Sequence, residues 1–227
     1  MHKLFLLLLL GVTLFATEKD LVLGKQIFEK TCISCHAKDG SASTDVHLVV
    51  MPRSLKISIL DEEQSYQIIK KGARYWGSTS DIMPSFESIY DEHELRSVAH
   101  YIAQTFNPNA KKRVNKLYNE SEPIALNKIK KMDKRGKKIY KRNCSWCHGV
   151  TAQGDGDATH NPEKSIYPYN LTKTLLDEKQ IFLYAKYGGK FFGTAKDDMP
   201  HWSRKYDDFT LKSVAKYIVK EFKKEKN

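Results

Sequence analysis

Cysteine is scarce in this chain. Only four cysteines occur among 227 residues, and they lie in two copies of one pentapeptide, CISCH at residues 32–36 and CSWCH at residues 144–148. No cysteine is left over for a separate disulfide framework or for a further thiolate ligand. The question that the sequence raises is therefore what a repeated CxxCH motif does.

Long apolar segments are also missing after the N-terminus. The chain begins with Met-His-Lys and continues with an apolar run over residues 4–15, about half the length that a membrane span needs. The positive start, the short apolar run and the small residue Ala16 predict a secretory signal peptide over residues 1–16. Retention of this segment as an uncleaved anchor is the alternative. We expect an exported, periplasmic protein with no transmembrane segment after signal removal.

Acidic residues are in the minority, and the imbalance is local. The net charge of +11 comes mainly from residues 107–143, where 13 basic residues face 3 acidic ones. Nucleic acid is a poor partner for an exported protein. We interpret the basic segment either as a solvated linker with an exposed helix face or as a docking surface for acidic redox proteins, membrane-bound respiratory complexes or an anionic surface.

Convincing strand alternation is absent, and the apolar residues recur at helical spacing. Asp61 and Asp177 occupy positions typical of helix N-caps, and Gly72 and Gly188 stand where the same helices end. A last helix begins near an aspartate in each half of the chain, at Asp91 and at Asp207. The predicted fold class is all-α with long irregular loops.

The chain contains an internal repeat. The block that begins at Pro52 aligns with the block that begins at Pro168 at an offset of 116 residues, and the CxxCH motifs align at an offset of 112. Two copies of one unit predict two similar tandem domains. We place the first domain at residues 17–106, a basic linker at residues 107–128 and the second domain at residues 129–227.

Three chemistries use two cysteines at this spacing: a disulfide, a tetrahedral metal site, and thioether attachment of a haem. The histidine after the second cysteine favours the haem, because it would lie beneath the iron as an axial ligand. A redox CxxC does not need this histidine, and a zinc site usually draws on two nearby pairs. We predict two covalent haem c groups, held by Cys32 and Cys35 and by Cys144 and Cys147.

The repeat also indicates which residues are the axial ligands of each iron. His36 and His148 are the histidines of the two motifs. Among the methionines after the signal peptide, only Met83 and Met199 occupy equivalent positions, and each is followed by proline. Methionine is more often core filler, and His201 is a rival ligand for the second iron. We predict Met83 and Met199 as the second ligands.

Other repeated positions fit the walls of a haem crevice. A carbonyl at Pro52 or Pro168 would accept the Nδ1–H of the motif histidine and fix its orientation. Tyr75-Trp76 and Phe191-Phe192 would supply flat apolar walls, with aromatic core as the alternative reading.

Two glycines and a lone methionine complete the residue-level expectations. Gly24 and Gly136 would let the first helix of each copy cross closely over the last helix. The equivalent aromatic pairs at that crossing would be Phe28 with Tyr101 and Tyr140 with Tyr217. Met132 has no counterpart in the first copy and is interpreted as helix surface.

These features together resemble class I cytochromes c. They are a G-x-x-x-[FY] helix, CxxCH, a proline-bearing loop, a Met-Pro turn and a final L-x-x-V-A-x-Y-I helix. The arrangement is similar to tandem two-haem periplasmic cytochromes and to haem-bearing subunits of some terminal oxidases. The resemblance implies His36 and Met83 as ligands of one iron, and His148 and Met199 as ligands of the other.

The expected function is electron transfer in a periplasmic respiratory chain, with each iron cycling between its ferric and ferrous states. A haem subunit of a larger respiratory complex is the alternative. A peroxidase needs an open iron face, and resemblance to thiosulfate-oxidising cytochromes would call for a cysteine ligand that this chain lacks. We therefore expect no catalytic residues.

Overall fold

The computed structural model describes residues 18–43, 52–79, 83–160, 166–194 and 199–223. These residues form helices and loops and contain no β-strand, which confirms the all-α prediction. The predicted signal peptide lies outside the described residues. Within the described ranges, every helix is too short or too polar to cross a bilayer.

The two halves of the chain repeat one order of helices. In the first half, α1 spans residues 18–27 and is followed by a π-turn at Phe28–Cys32, α2 (Ile33–His36), α3 (Glu62–Tyr75) and α4 (Glu92–Phe106). After α5 (Ala110–Asn119) and a 3-10 turn at Leu126–Lys131, the second half continues with α6 (Met132–Ile139), a π-turn at Tyr140–Cys144, α7 (Ser145–His148), α8 (Glu178–Tyr187) and α9 (Asp208–Glu221). Short 3-10 turns lie at Asp157–His160, Leu171–Lys173, Lys190–Phe192 and Trp202–Arg204.

The predicted N-caps are confirmed. Asp61 caps α3 by accepting the backbone N–H of Gln64, whose side chain accepts the Asp61 N–H in return. Asp177 and Gln180 form the same capping box at the start of α8. The last helices α4 and α9 begin next to Asp91 and Asp207, as predicted, and these aspartates are their N-caps. Each cap satisfies backbone donors that would otherwise lack a partner.

The first and last helices of each copy cross at a glycine, as predicted. A Cβ atom at Gly24 would lie 2.1 Å from the carbonyl oxygen of Ser97 in α4. A Cβ atom at Gly136 would lie 2.1 Å from the carbonyl oxygen of Ser213 in α9. Only a residue without a side chain permits this approach. The crossing therefore positions the CxxCH motif against the core at the same point in both copies.

Aromatic rings fill the space beside each crossing. Phe28 and Tyr101 lie 5.6 Å apart between ring centroids, and Tyr140 and Tyr217 lie 5.7 Å apart. Phe28 and Tyr140 are fully buried and begin the π-turns that lead into the cysteines. Their burial contributes to holding the motif segments in place.

Met132 departs from its predicted surface position. Its side chain is only 3% exposed, so the interpretation as helix surface is wrong. Met132, Gly136 and Ile139 form the buried face of α6, which packs against α9. The spacing of these three residues matches one face of a helix, but the surrounding lysines obscure that pattern.

Polar contacts between the two copies occur in reciprocal pairs, in which each copy donates to the equivalent residue of the other. The Gln64 amide donates to Gln180 Oε1, and the Gln180 amide donates to Gln64 Oε1, each at 2.8 Å. Gln64 Nε2 also donates to Leu175 O at 3.0 Å, and Gln180 Nε2 donates to Ile59 O at 2.7 Å. Together with the capping boxes, these bonds occupy both donors and both acceptor sites of each amide.

A second pair of reciprocal bonds supports the same geometry. The Asn170 N–H donates to Gly77 O at 2.7 Å, and the Ser54 N–H donates to Gly193 O at 3.0 Å. The offset of 116 residues relates the partners of these two bonds, as it relates Gln64 to Gln180. The copies therefore associate through equivalent patches about a pseudo-twofold axis, as in a symmetric homodimer. We call the region of these reciprocal bonds the pseudo-twofold interface, which contains the eight residues Ser54, Ile59, Gln64, Gly77, Asn170, Leu175, Gln180 and Gly193.

The segment predicted as a linker contains helix α5, which contacts both copies. Val114 is 5% exposed and lies in the core of the second copy. Tyr118 stands edge-on to Phe182 of α8, with ring centroids 5.6 Å apart. On its other side, the Arg113 guanidinium donates to the carbonyl of Ser58 in the first copy. Helix α5 thus joins the two copies directly.

Candidate functional site

The two CxxCH segments adopt one local conformation. The first cysteine of each motif ends a π-turn, and the second cysteine and the histidine lie on the short helix that follows, α2 or α7. The next residue leaves the helix with a positive φ, 60° at Ala37 and 80° at Gly149. This turn directs the chain away after the histidine and leaves both cysteines and the histidine on one short stretch of backbone.

No disulfide joins any of the four cysteines. Burial, with a smaller contribution from the neighbouring Cys35, raises the pKa of Cys32 to about 11. Burial and the neighbouring Cys147 raise the pKa of Cys144 to about 12. Redox-active CxxC motifs instead have a cysteine with a lowered pKa. The thiol environment therefore does not favour thiol–disulfide exchange.

The motif histidines are oriented by equivalent backbone carbonyls. His36 Nδ1 lies 3.2 Å from Arg53 O, and His148 Nδ1 lies 2.9 Å from Tyr169 O. Burial lowers the pKa of both histidines. Each imidazole is therefore neutral and donates Nδ1–H, which leaves Nε2 as a bare nitrogen lone pair suited to a metal.

The acceptor carbonyl lies one residue beyond the predicted proline in each copy. Pro52 and Pro168 are both buried, but the acceptors belong to Arg53 and Tyr169. The Pro168 carbonyl instead accepts the hydroxyl of Thr79 at 3.2 Å across the pseudo-twofold interface. The prediction of a proline carbonyl is therefore wrong by one residue, and the loop orients the histidine through the peptide that follows the proline.

The Met-Pro turns are held against the ends of α3 and α8. The Ala73 N–H donates to Met83 O at 2.9 Å, and the equivalent Gly189 N–H donates to Met199 O at 3.0 Å. Gly72 and Gly188, with φ of 77° and 80°, lie where the backbone leaves helical φ/ψ values.

In both helices the chain departs from helical geometry at a glycine, because the Met-Pro turn passes close to that position. A Cβ atom at Gly72 would lie 2.8 Å from the Ser85 nitrogen, and one at Gly188 would lie 2.8 Å from Met199 O. The stop predicted at Gly188 is therefore confirmed, whereas Gly72 is a kink inside α3 rather than its end. In α3, one further turn follows Gly72 before the helix ends.

The predicted aromatic walls divide into exposed and buried rings. Tyr75 and Phe191 are 49% and 50% exposed, whereas Phe192 is 1% exposed and packs on Tyr184 with ring centroids 5.0 Å apart. The Trp76 indole donates to a backbone carbonyl at 2.9 Å. Phe192 thus belongs to the core, and Tyr75 and Phe191 remain predicted wall residues.

The donor set fits a covalently attached haem in each copy. Each site offers two cysteine thiols three residues apart and an imidazole whose Nε2 makes no hydrogen bond to the described protein residues. No three His, Cys, Asp or Glu side chains of the described residues come together as a metal-ion site. The predicted rival ligand His201 is partly buried beside the second Met-Pro turn.

Arg53 is a site residue that the sequence did not reveal. Its Nη1 donates to the Tyr184 hydroxyl at 2.5 Å, and its guanidinium carbon lies 5.0 Å from the centre of the Tyr169 ring. Although burial opposes the charge, Tyr184 and Tyr169 raise the pKa of Arg53 above its ordinary value. A single arginine in a loop carries no sequence signal for such a contact between the copies.

Fold and site together define a tandem class I cytochrome c. The chain belongs to the family described as cytochrome c oxidase, cbb3-type, subunit III, whose profile matches residues 20–102 and 131–218. One match lies in each copy of the repeat. The family accounts for electron transfer by covalently bound haem c as the general role of the chain.

Two known proteins show how far the similarity extends. The "Cbb3-type cytochrome c oxidase subunit CcoP" of Azospirillum sp. (strain B510) is 33% identical over 90 residues, which cover 37% of this chain and 27% of that protein. A chain of the reducing HAO-like protein complex of Kuenenia stuttgartiensis matches with a TM-score of 0.46 and 21% identity, covering 88% of this chain and 96% of that chain. A structural likeness of this size carries no argument about function.

Proposed function

We propose that the chain is a two-haem cytochrome that passes single electrons between redox partners in the periplasm. Cys32 and Cys35 would hold one haem, and Cys144 and Cys147 the other. The observation that carries the proposal is the orientation of the motif histidines, each neutral and fixed through Nδ1 by a backbone carbonyl. That geometry prepares Nε2 for iron and has no other evident use.

Met83 and Met199 are the proposed second ligands. Their support is the equivalent bond that fixes each Met-Pro turn to the end of α3 or α8. The bound haem supplies a one-electron ferric–ferrous couple, whose potential a methionine ligand raises. The protein side chains would hold the haem, exclude water from it and keep the histidine and the methionine in place as ligands. With both axial positions occupied, the chain would act as a carrier rather than as an enzyme.

A role within a larger respiratory complex has specific support. The family profile and the CcoP relative both carry the description of a cbb3-type oxidase subunit. We propose that the partners are components of a membrane-bound respiratory complex or acidic redox proteins that exchange electrons with it. The exposed lysines of residues 128–141 are suited to guiding such partners.

Haem counting tests the proposal directly. Protein matured in a host that attaches haem c should give two haems per chain in a pyridine haemochrome assay, and acid–acetone should extract neither. Cys32→Ser/Cys35→Ser and the matched variant Cys144→Ser/Cys147→Ser should each retain one haem. Extractable haem, or bound zinc in place of haem, would contradict the proposal.

A further inference from the structure

The Arg53 side chain enters the second copy at the pseudo-twofold interface. It donates to the hydroxyl of Tyr184 at 2.5 Å and stacks over the Tyr169 ring at 5.0 Å. Arg53 and Tyr169 occupy equivalent positions of the repeat, since each follows the loop proline. The contact therefore joins two symmetry-related points with different residues, a cation from one copy and an aromatic ring from the other.

The backbones of the same two residues orient the motif histidines. The Arg53 carbonyl accepts from His36 at 3.2 Å, and the Tyr169 carbonyl accepts from His148 at 2.9 Å. One side-chain contact thus connects the two peptides that fix the two imidazoles. A movement of the Arg53 side chain would therefore be transmitted to both histidines through the backbones of Arg53 and Tyr169.

No carboxylate of a described Asp or Glu forms an ion pair with Arg53. Its neighbours are the phenols of Tyr169 and Tyr184, and burial raises the pKa of Tyr184, which keeps that phenol neutral. Arg53 is partly buried, and a partly buried cation is screened less by solvent than one at the surface. It acts against any further positive charge nearby, and a ferric haem carries one more positive charge than a ferrous haem.

We propose that Arg53 is a positioning residue shared by the two haem sites, and that its charge raises the reduction potential of both haems. This inference rests on the proposed function, because it requires haem at both motifs. One fixed cation favours the ferrous form of the haem on either side of the interface. The two potentials are therefore coupled to one side chain rather than set separately in each copy.

Substitution of Arg53 by neutral residues tests the inference. Arg53→Met and Arg53→Gln remove the charge and keep much of the side-chain length, whereas Arg53→Lys keeps the charge. Arg204→Met is the matched control, since Arg204 is an exposed arginine. Spectroelectrochemical titration should be performed on preparations in which a pyridine haemochrome assay gives two covalent haems per chain.

Both neutral variants should shift each ferric–ferrous equilibrium toward the ferric form by about threefold to tenfold, or about 30 to 60 mV for a one-electron couple. Arg53→Lys should recover more than half of that shift, and Arg204→Met should leave both potentials unchanged. Potentials that stay at the parent values, a shift confined to one haem, or an equal shift in Arg53→Lys would overturn the inference. A parent protein without two covalent haems would instead overturn the proposed function.

Discussion

Single glycines decide how closely the helices of each copy approach. Gly136 in α6 faces the backbone of α9 directly, and no flexible side chain stands between them that could move aside. The same is true of Gly24 and α4. These crossings are followed directly by the π-turns that lead into CxxCH. A larger residue at either glycine would therefore also disturb the haem site.

Gly136→Ala should therefore lower the free energy of unfolding by about 1–3 kcal/mol, the usual range for overpacking. Lys137→Ala, on the exposed side of the same helix, should change it by no more than about 0.5 kcal/mol. Denaturant titration of the haem-loaded proteins measures both values. Equal stability of the two variants would contradict the close crossing.

The methionine ligands give a second prediction at the residue scale. Ferric protein should show the weak long-wavelength absorption band of sulfur–iron ligation, and Met83→His and Met199→His should each remove about half of it. If Met199→His preserves the band while His201→Ala alters it, then His201 is the ligand of the second iron and the assignment of Met199 is wrong.

One glutamine in each of the helices α3 and α8 has two structural roles. Gln64 and Gln180 complete the capping boxes of their own helices and also bond to each other. The start of each helix is thereby tied to the start of its counterpart. A change at one glutamine leaves polar groups of the other unsatisfied, which is more costly than replacing both.

A double-mutant cycle should reveal this coupling. Gln64→Leu and Gln180→Leu should each cost about 1–3 kcal/mol, and the double variant should cost less than the sum by about 0.5 kcal/mol or more. Gln26→Leu, at an exposed position of α1, serves as the control. Strict additivity in denaturant titrations would show that the two amides do not interact in solution.

At the scale of the whole molecule, the excess positive charge lies in residues 107–143, which include α5 and α6. Lys130, Lys131, Lys134 and Lys138 are exposed on and before α6, which leads into the second CxxCH motif. Fixed charges of one sign raise the association rate with an oppositely charged partner, and salt screens this effect over about 8–10 Å.

Reversal of these four lysines to glutamate should slow electron exchange with an acidic partner at low salt, and the difference should shrink as salt is raised. The matched control reverses four exposed lysines of the first copy, Lys19, Lys25, Lys30 and Lys38. Stopped-flow mixing across a salt series measures the rates. Equal slowing by both sets would mean that net charge, rather than this surface, governs the encounter.

The sequence predicts the parts of each copy better than their association. The cysteine motifs, the aspartate caps and the glycine crossings are local features with their own patterns, and the structure places the caps and the crossings as expected. The contact of Arg53 with Tyr169 joins equivalent positions of the repeat, but the two residues differ in chemistry and so give no matching donor and acceptor in the sequence. Identical glutamines at equivalent positions were the available signal for the interface, since reciprocal pairing requires matching donors and acceptors.

Because the two copies belong to one chain, the pseudo-twofold interface does not have to bring separate molecules together. Two separate chains would have to find each other at their concentration in solution, whereas halves joined by a short segment meet at an effective concentration of about millimolar or above. Helix α5 limits their freedom further by contacting both halves. The interface therefore has to contribute less free energy to hold the two halves together than it would between separate chains. Cutting the chain between residues 119 and 128 should make their union depend on protein concentration.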